Sequence, residues 1–285
     1  MKAELTVLII NYNTSKFIDI VLYALKRLTK NQFEVFICDN GSTDNDIINL
    51  CHCAEQYENV SLIFRKQTSE GSIGHGEAMD LLAEKVSTPY FVTLDSDCVF
   101  LQMGWDTILI NNLGDHCKCI GTPPVPNLLK AIDFPNMFAV LYETETYRKL
   151  SSPSFSPDPM RILSNDEQNN LSRDTGWEVR KKFLENGYMG ICLEVKNTRN
   201  YKNGPFNDII CAEYYLPESK KIFACHFGRG ATLGMNKYKD VAFGRIPLIR
   251  DYYMWKIGID EQKKWIEQVR TIVDSEANCE ETLFA

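Results

Sequence analysis

Residues 90–97, Tyr90-Phe91-Val92-Thr93-Leu94-Asp95-Ser96-Asp97, constrain this chain more than any other stretch. A β-prone apolar run ends abruptly in two carboxylates on either side of a serine. A run of this kind reads as a strand buried on both faces, as in a parallel sheet. Open α/β sheets bind their ligands beyond the carboxyl ends of such strands. Two hard oxygen donors placed there suit Mg²⁺ or Mn²⁺, with substrate phosphates completing the shell. The same aspartates would also serve to shape a turn or cap the next helix, and the stretch alone leaves both readings open.

The segments before it repeat the pattern. Leu5 to Ile10 is a buried strand by composition, ending in the polar loop Asn11-Tyr12-Asn13-Thr14-Ser15, where Thr14 or Ser15 can cap a helix. Phe17, Val21, Leu25 and Leu28 give that helix, about 16–29, its period. Phe33 to Cys38 is a second strand, running into Asp39-Asn40-Gly41-Ser42-Thr43-Asp44, and Asp44 can cap a helix to about Tyr57. Val60 to Arg65 is a third. Strand–helix–strand at this spacing predicts parallel βαβ units. Gly71-Ser72-Ile73-Gly74-His75-Gly76 opens a further helix, and its glycines let a backbone approach a ligand closely. It is neither a P-loop nor a dinucleotide fingerprint.

Composition shifts at Thr122-Pro123-Pro124-Val125-Pro126. Beyond it the sequence predicts strands over 137–142, 189–195 and 222–225 and a short helix over 143–150. Residues 151–170 form a loop that is either a lid or disordered. A helix follows Arg173-Asp174-Thr175-Gly176-Trp177, with Gly187 as its stop. The tail reads as two helices, 243–256 and 260–274, and Trp265 and Val269 carry the packing stripe of the second. Three parts result: 1–121, 122–235 and a helical extension, 236–285.

With 285 residues, 44% apolar and 24% charged, the chain has an ordinary globular composition. A formal net charge of −7 and the lack of a basic run argue against nucleic-acid binding. No apolar segment reaches the length of a membrane span and no secretory signal is evident. A cytoplasmic protein is therefore expected, with peripheral membrane contact left open. Ten cysteines include no Cys-x-x-Cys pair. Cys51-His52-Cys53 and His116-Cys117-Lys118-Cys119 have the wrong spacing for zinc, so most of the thiols are expected to be small hydrophobes.

Three motifs in this order, Val7 to Asn13, Val35 to Asp44 and Leu94 to Asp97, resemble family-2 glycosyltransferases of the GT-A fold. The likeness covers Leu5 to Gly121 well and Asp174 to Gly230 more loosely. It implies an α/β fold with a mostly parallel twisted sheet, helices on both faces, a smaller acceptor-side half and C-terminal helices. The activity it implies is inverting, metal-assisted transfer of a sugar from a nucleotide-diphosphate sugar to an acceptor hydroxyl. The acceptor class stays open among carbohydrates, lipid-linked glycans, peptides and natural products. The alternative is an inactive GT-A domain that binds a sugar or a protein. A nucleotidyltransferase is disfavoured, because Asn11 to Ser15 contains neither glycine nor a basic residue.

Carried over by residue, Asp39 would bind the nucleotide base, or be a turn-forming Asx residue. Asn11 and Tyr12 would line the base and ribose pocket. Asp95 would face the ribose or metal-bound water, with Ser96 beside it on the donor, and Asp97 would bind Mn²⁺ or Mg²⁺. His75 and Gly76 would flank the donor sugar, with a purely structural histidine equally open. Asp174 is the candidate general base, against a plain N-cap, although Arg173 stands where an acid is common. Asp166, Glu167 and Glu178 are fallback bases. His226 would add a metal ligand, or be a hydrogen-bonded residue at a strand end. Arg229 would contact the diphosphate, or be a solvated charge. Trp105 and Trp177 would stack on a sugar, or pack.

Overall fold

The computed structural model describes residues 2–69, 71–126, 131–158, 173–230 and 247–283. The first strand, β1 (Leu5–Asn11), lies between β2 (Phe33–Asp39) and β4 (Tyr90–Asp95), parallel to both. Its alternation explains why an unbroken apolar run was needed. Leu5, Val7 and Ile9 enter one hydrophobic core, and Leu8 and Ile10 enter a second on the opposite face. The same alternation sends Phe91 to the second core and Val92 and Leu94 to the first. Each fully buried side chain of this size stabilises the fold by about 1.5–3 kcal/mol.

Outside β2 lies β3 (Val60–Phe64), and beyond β4 lie β7 (Ala139–Glu143), β6 (Cys117–Gly121) and β8 (Met189–Cys192). The seven-stranded order is β3-β2-β1-β4-β7-β6-β8, with only β7 running against its neighbours. Helices α1 (Ser15–Leu28) and α2 (Asp44–Ala54) cover the first core, through Phe17, Val21, Leu25 and Leu50. On the other face, α3 (Gly71–Ala83) and α6 (Trp177–Glu185) contribute Met79, Leu82, Val179 and Phe183. The remaining short helices are α4 (Trp105–Asn111) and α5 (Thr144–Lys149).

A second, four-stranded sheet has the order β5-β11-β10-β9, from β5 (Cys98–Phe100), β9 (Glu194–Asn197), β10 (Ala212–Tyr215) and β11 (Ile222–His226). All its pairings are antiparallel. The run expected as one strand over 189–195 is divided at Leu193, so that β8 joins one sheet and β9 the other. The tail also differs from expectation. A single helix, α7 (Pro247–Leu283), passes unbroken through Gly258. One mid-helix glycine costs only about 1 kcal/mol, and burial of Trp265, Val269 and Val273 against the first core outweighs it. No helix among the described residues is long and apolar enough to cross a membrane.

Thr14 and Thr43 precede α1 and α2, but neither side chain makes a capping hydrogen bond. Asp46 reaches across to Ser15 instead, accepting from its backbone N–H at 3.1 Å and from its hydroxyl. All ten cysteines are free.

Candidate functional site

The strands β1, β2 and β4 end side by side at Asn11, Asp39 and Asp95. After β3 the chain crosses back to the far side of β1, so the β1/β4 boundary is a topological switch point. A cavity of about 730 Å³ opens there, lined on one side by Tyr12, His75, Asp95, Ser96 and Asp97. The second sheet and the loop before α6 supply the other side, with His226, Tyr214, Asn197, Arg199 and Asp174.

Asp95 ends β4 and Cys98 begins β5, so Asp97 lies where the chain passes from one sheet to the other. Antiparallel pairing of β5 with β11 brings His226 opposite Cys98. The His226 Nε2 atom is 3.1 Å from Asp97 Oδ1 and 3.4 Å from Asp95 Oδ2. The other oxygen of Asp97 accepts the backbone N–H groups of Arg229 and Gly230, each at 2.8 Å. Burial alone would raise the Asp97 pKa; the His226 charge and these donors overcome it and hold the carboxyl at about 2. Burial likewise disfavours a charged His226, yet the two carboxylates raise its pKa to about 10.

The structure brings together Asp95, Asp97, His226, His75, Tyr12, Ser96 and Asp174 around one cavity. His75 Nε2 lies 3.7 Å from Asp95 Oδ1. Asp174 accepts the backbone N–H and the hydroxyl of Thr175, at 2.9 and 3.2 Å. It is not the cap of α6, whose N-cap is Gly176 at φ +80°. Arg173 is committed to Asp158 at 2.7 Å and stacks over Trp177. Asp166 and Glu167 lie outside the described residues, and Glu178 accepts from the Ser154 backbone N–H.

Asn11, Asp39 and Gly76 do not line the cavity. Asp39 accepts from Gly41 and Ser42 backbone N–H groups, each at 3.2 Å, and from Asn11 Nδ2 at 2.9 Å. The same Asn11 amide donates to Asp46, and its oxygen accepts from the Thr14 hydroxyl, so it ties the loops after β1 and β2 together. At Gly76 a Cβ would stand 2.4 Å from Ser156 Cα, which makes this glycine a packing requirement.

Neither sequence reading of Arg229 describes what is found. Its side chain is fully buried, donates to Glu261 Oε2 at 2.8 Å and to the Ile210 carbonyl, and lies over the Phe227 ring. Trp105 is core, stacked on Phe100 with ring centroids 4.0 Å apart.

Among the described residues, Asp95, Asp97 and His226 form the one group of three or more acidic, histidine or cysteine side chains able to hold a metal, with ligand atoms within 4.8 Å of one another. Two carboxylates and an imidazole suit Mn²⁺ or Mg²⁺. Asp95 Oδ1 is buried without a hydrogen-bond partner, a further sign that the donor set fits a cation.

A family model described as glycosyl transferase family 2 matches residues 6–166, more than half of the chain. The chain belongs to glycosyl transferase family 2. This family-2 glycosyltransferase is 30% identical over 95 residues to a teichoic acid poly(glycerol phosphate) polymerase of Staphylococcus epidermidis. That match covers 33% of this chain and 13% of the relative. Among solved structures, it resembles the mannosyltransferase PcManGT from Pyrobaculum calidifontis, in complex with GDP-Man and Mn²⁺, at a TM-score of 0.50 and 15% identity. The likeness covers 67% of this chain and 55% of that one, and supports the GT-A fold. TarS 1–349 of S. aureus aligns at a TM-score of 0.44 and 15% identity, over 66% of this chain and 58% of that one. The glycosyltransferase thus spans only part of the length of the proteins it matches.

Sequence reasoning missed Tyr214, Asn197 and the backbone donors of Arg229 and Gly230. The β-prone run Ile209 to Leu216 was the available signal for a strand carrying Tyr214.

Proposed function

We propose that this glycosyltransferase moves a sugar from a nucleotide-diphosphate sugar to an acceptor hydroxyl with inversion, assisted by Mn²⁺ or Mg²⁺. The observation that carries the reading is the Asp95–Asp97–His226 cluster at the switch point of a GT-A sheet. Asp95, Asp97 and His226 would hold the cation, which supplies charge neutralisation to the leaving diphosphate. The bound GDP-Man and Mn²⁺ of the archaeal structure support this class of donor and ion.

The first 121 residues would carry the donor and residues 122–235 the acceptor. Tyr12 faces the nucleotide, and Asn11 and Asp39 shape the turn that supports it. Ser96 and His75 border the donor's sugar end, with Gly76 letting the chain pass close behind. Asp174, oriented by Thr175, takes the proton of the acceptor hydroxyl as its oxygen bonds to the anomeric carbon. The bond from that carbon to the phosphate oxygen breaks on the opposite face, and the nucleoside diphosphate leaves with the electron pair.

The test is thermal stability against UDP-, GDP-, dTDP- and CMP-sugars, with and without Mn²⁺. A metal-dependent rise with one nucleotide is expected, since ligand binding to the native state raises its stability. No shift with any donor would refute the reading in favour of an inactive binding domain.

A further inference from the structure

His226 is the second sheet's member of the Asp95–Asp97–His226 cluster, yet its own sheet does little to fix its ring. Its cross-strand neighbours are Ala212 on β10 and Cys98 on β5, both small. Among the described residues, the polar contacts of the imidazole all run through Nε2, to Asp97 and Asp95. A metal-binding histidine is ordinarily oriented through its other ring nitrogen, by a carboxylate or a carbonyl. Nor does the side chain orient itself, because rotation of an imidazole about its Cβ–Cγ bond is broad.

Phe138 supplies the constraint from the first sheet. Its ring centroid lies 4.7 Å from that of His226, with the planes inclined by 34°, so the two rings pack. Phe138 stands just before β7 and lines the cavity. Its backbone is held at both ends. The N–H donates to the Asn136 carbonyl at 2.7 Å, and the carbonyl accepts the Asp95 N–H at 2.7 Å. One residue thus touches a member of the cluster on each sheet, Asp95 through its backbone and His226 through its ring.

We propose that Phe138 is a positioning residue of this site, whose ring keeps His226 Nε2 turned to Asp95 and Asp97. The inference rests on the function proposed above, in which those three residues hold the cation. A flat ring at packing distance limits how far the imidazole can rotate, and an aliphatic side chain presents no such plane. Removing the ring leaves all three donors chemically intact but lets one of them turn away.

The experiment measures Mn²⁺ affinity, without any sugar nucleotide, for wild type, Phe138→Leu and Phe138→Tyr, and repeats the first two in a His226→Gln background. The free-ion signal by electron paramagnetic resonance reads binding, and circular dichroism reads the fold. Phe138→Leu should bind Mn²⁺ about tenfold more weakly, the loss typical when a group that orients a ligand is removed. Phe138→Tyr keeps the ring and should bind as wild type does. His226→Gln retains the two carboxylates, and in that background Phe138→Leu should cost nothing further, because a residue acting through His226 has no effect once the imidazole is gone. Unchanged affinity in Phe138→Leu would overturn the assignment, as would a loss in Phe138→Tyr as large as in Phe138→Leu. So would an equal loss in the His226→Gln background, which would place the effect on Asp95 or on the fold. Should Phe138→Leu fail to fold, Phe138→Met takes its place. If wild type itself takes up no Mn²⁺, the cation reading fails first and Phe138 with it; uptake by wild type with none of these losses removes Phe138 alone.

Discussion

Arg229 donates to Glu261 Oε2 at 2.8 Å, across 32 residues of sequence, with its guanidinium completely buried. The same residue's backbone N–H holds Asp97 at 2.8 Å. One residue therefore couples the C-terminal helix to a carboxylate of the Asp95–Asp97–His226 cluster. Glu261 also accepts from the Ile210 backbone N–H at 3.2 Å, and Trp265, one turn on, donates to Cys225 Sγ.

Glu261→Ala should cost about 3–5 kcal/mol by urea denaturation, because it strands a buried charge. Replacing both partners with apolar residues, as in Arg229→Met with Glu261→Leu, should recover most of that loss. If Glu261→Ala is as stable as wild type, the pair does not brace the helix.

Asp97→Ala should leave the protein folded and abolish metal-dependent turnover. Circular dichroism would follow the fold, and the free-ion signal of Mn²⁺ by electron paramagnetic resonance would follow binding. Unchanged Mn²⁺ uptake in this variant would remove Asp97 from the ligand set.

The paired charges also set a pH dependence. Asp97 lies below its ordinary 3.8, at about 2, so its contribution is complete above pH 3.8 and is lost as pH falls toward 2. His226 lies above its ordinary 6.5, at about 10, so its contribution is complete below pH 6.5 and is lost as pH rises toward 10. This pair should therefore contribute most to the metal-free protein between pH 3.8 and 6.5, read as the difference in melting temperature between wild type and His226→Gln. A cation that takes His226 as a ligand displaces its proton, so under the proposed function Mn²⁺ uptake near neutral pH should release about one proton. Calorimetry in buffers of different ionisation enthalpy measures this, and a heat independent of buffer would contradict it.

Asp174→Asn should lower kcat by about 10²–10⁴-fold while leaving donor affinity within a few-fold of wild type, the signature of a general base. A variant that keeps its kcat would move the base elsewhere.

Gly230→Ala would place a methyl group 3.2 Å from Asp97 Cβ and Oδ2 and 3.1 Å from Thr14 Cγ2. Asp97 must then shift by a few tenths of an ångström. Mn²⁺ affinity should fall several-fold with little loss of fold stability; unaltered affinity would show that the loop absorbs the methyl group.

The doubly buried sheet was legible because local composition decides it. Leu5 to Ile10 and Phe91 to Leu94 have no polar face to present to water, so strands flanked by helices on both sides were the available solution. Asp95, Asp97 and His226 were legible one by one as candidate ligands because each ends or follows an apolar run. Their convergence was not, since it depends on β5, a strand of three residues that reads as an extension of the motif before it. Arg229 was misread for a related reason. A charged residue between glycines looks solvated until a partner from a distant helix buries it. Asp39 and Asn11 were legible by motif, while the hydrogen bonds that fix them to Gly41, Ser42 and each other depend on how the loops after β1 and β2 meet.

Only Ser96 and Asp97 separate the last residue of β4 from the first of β5. A link this short leaves the two sheets no slack to slide past each other. A second link is shorter still, with Leu193 alone between β8 and β9, so the sheets are tied at two separate points and cannot hinge about Ser96 and Asp97. Two such ties hold the sheets in one relation, and with it the spacing of Asp95 and Asp97 on one side of the junction from His226 on the other.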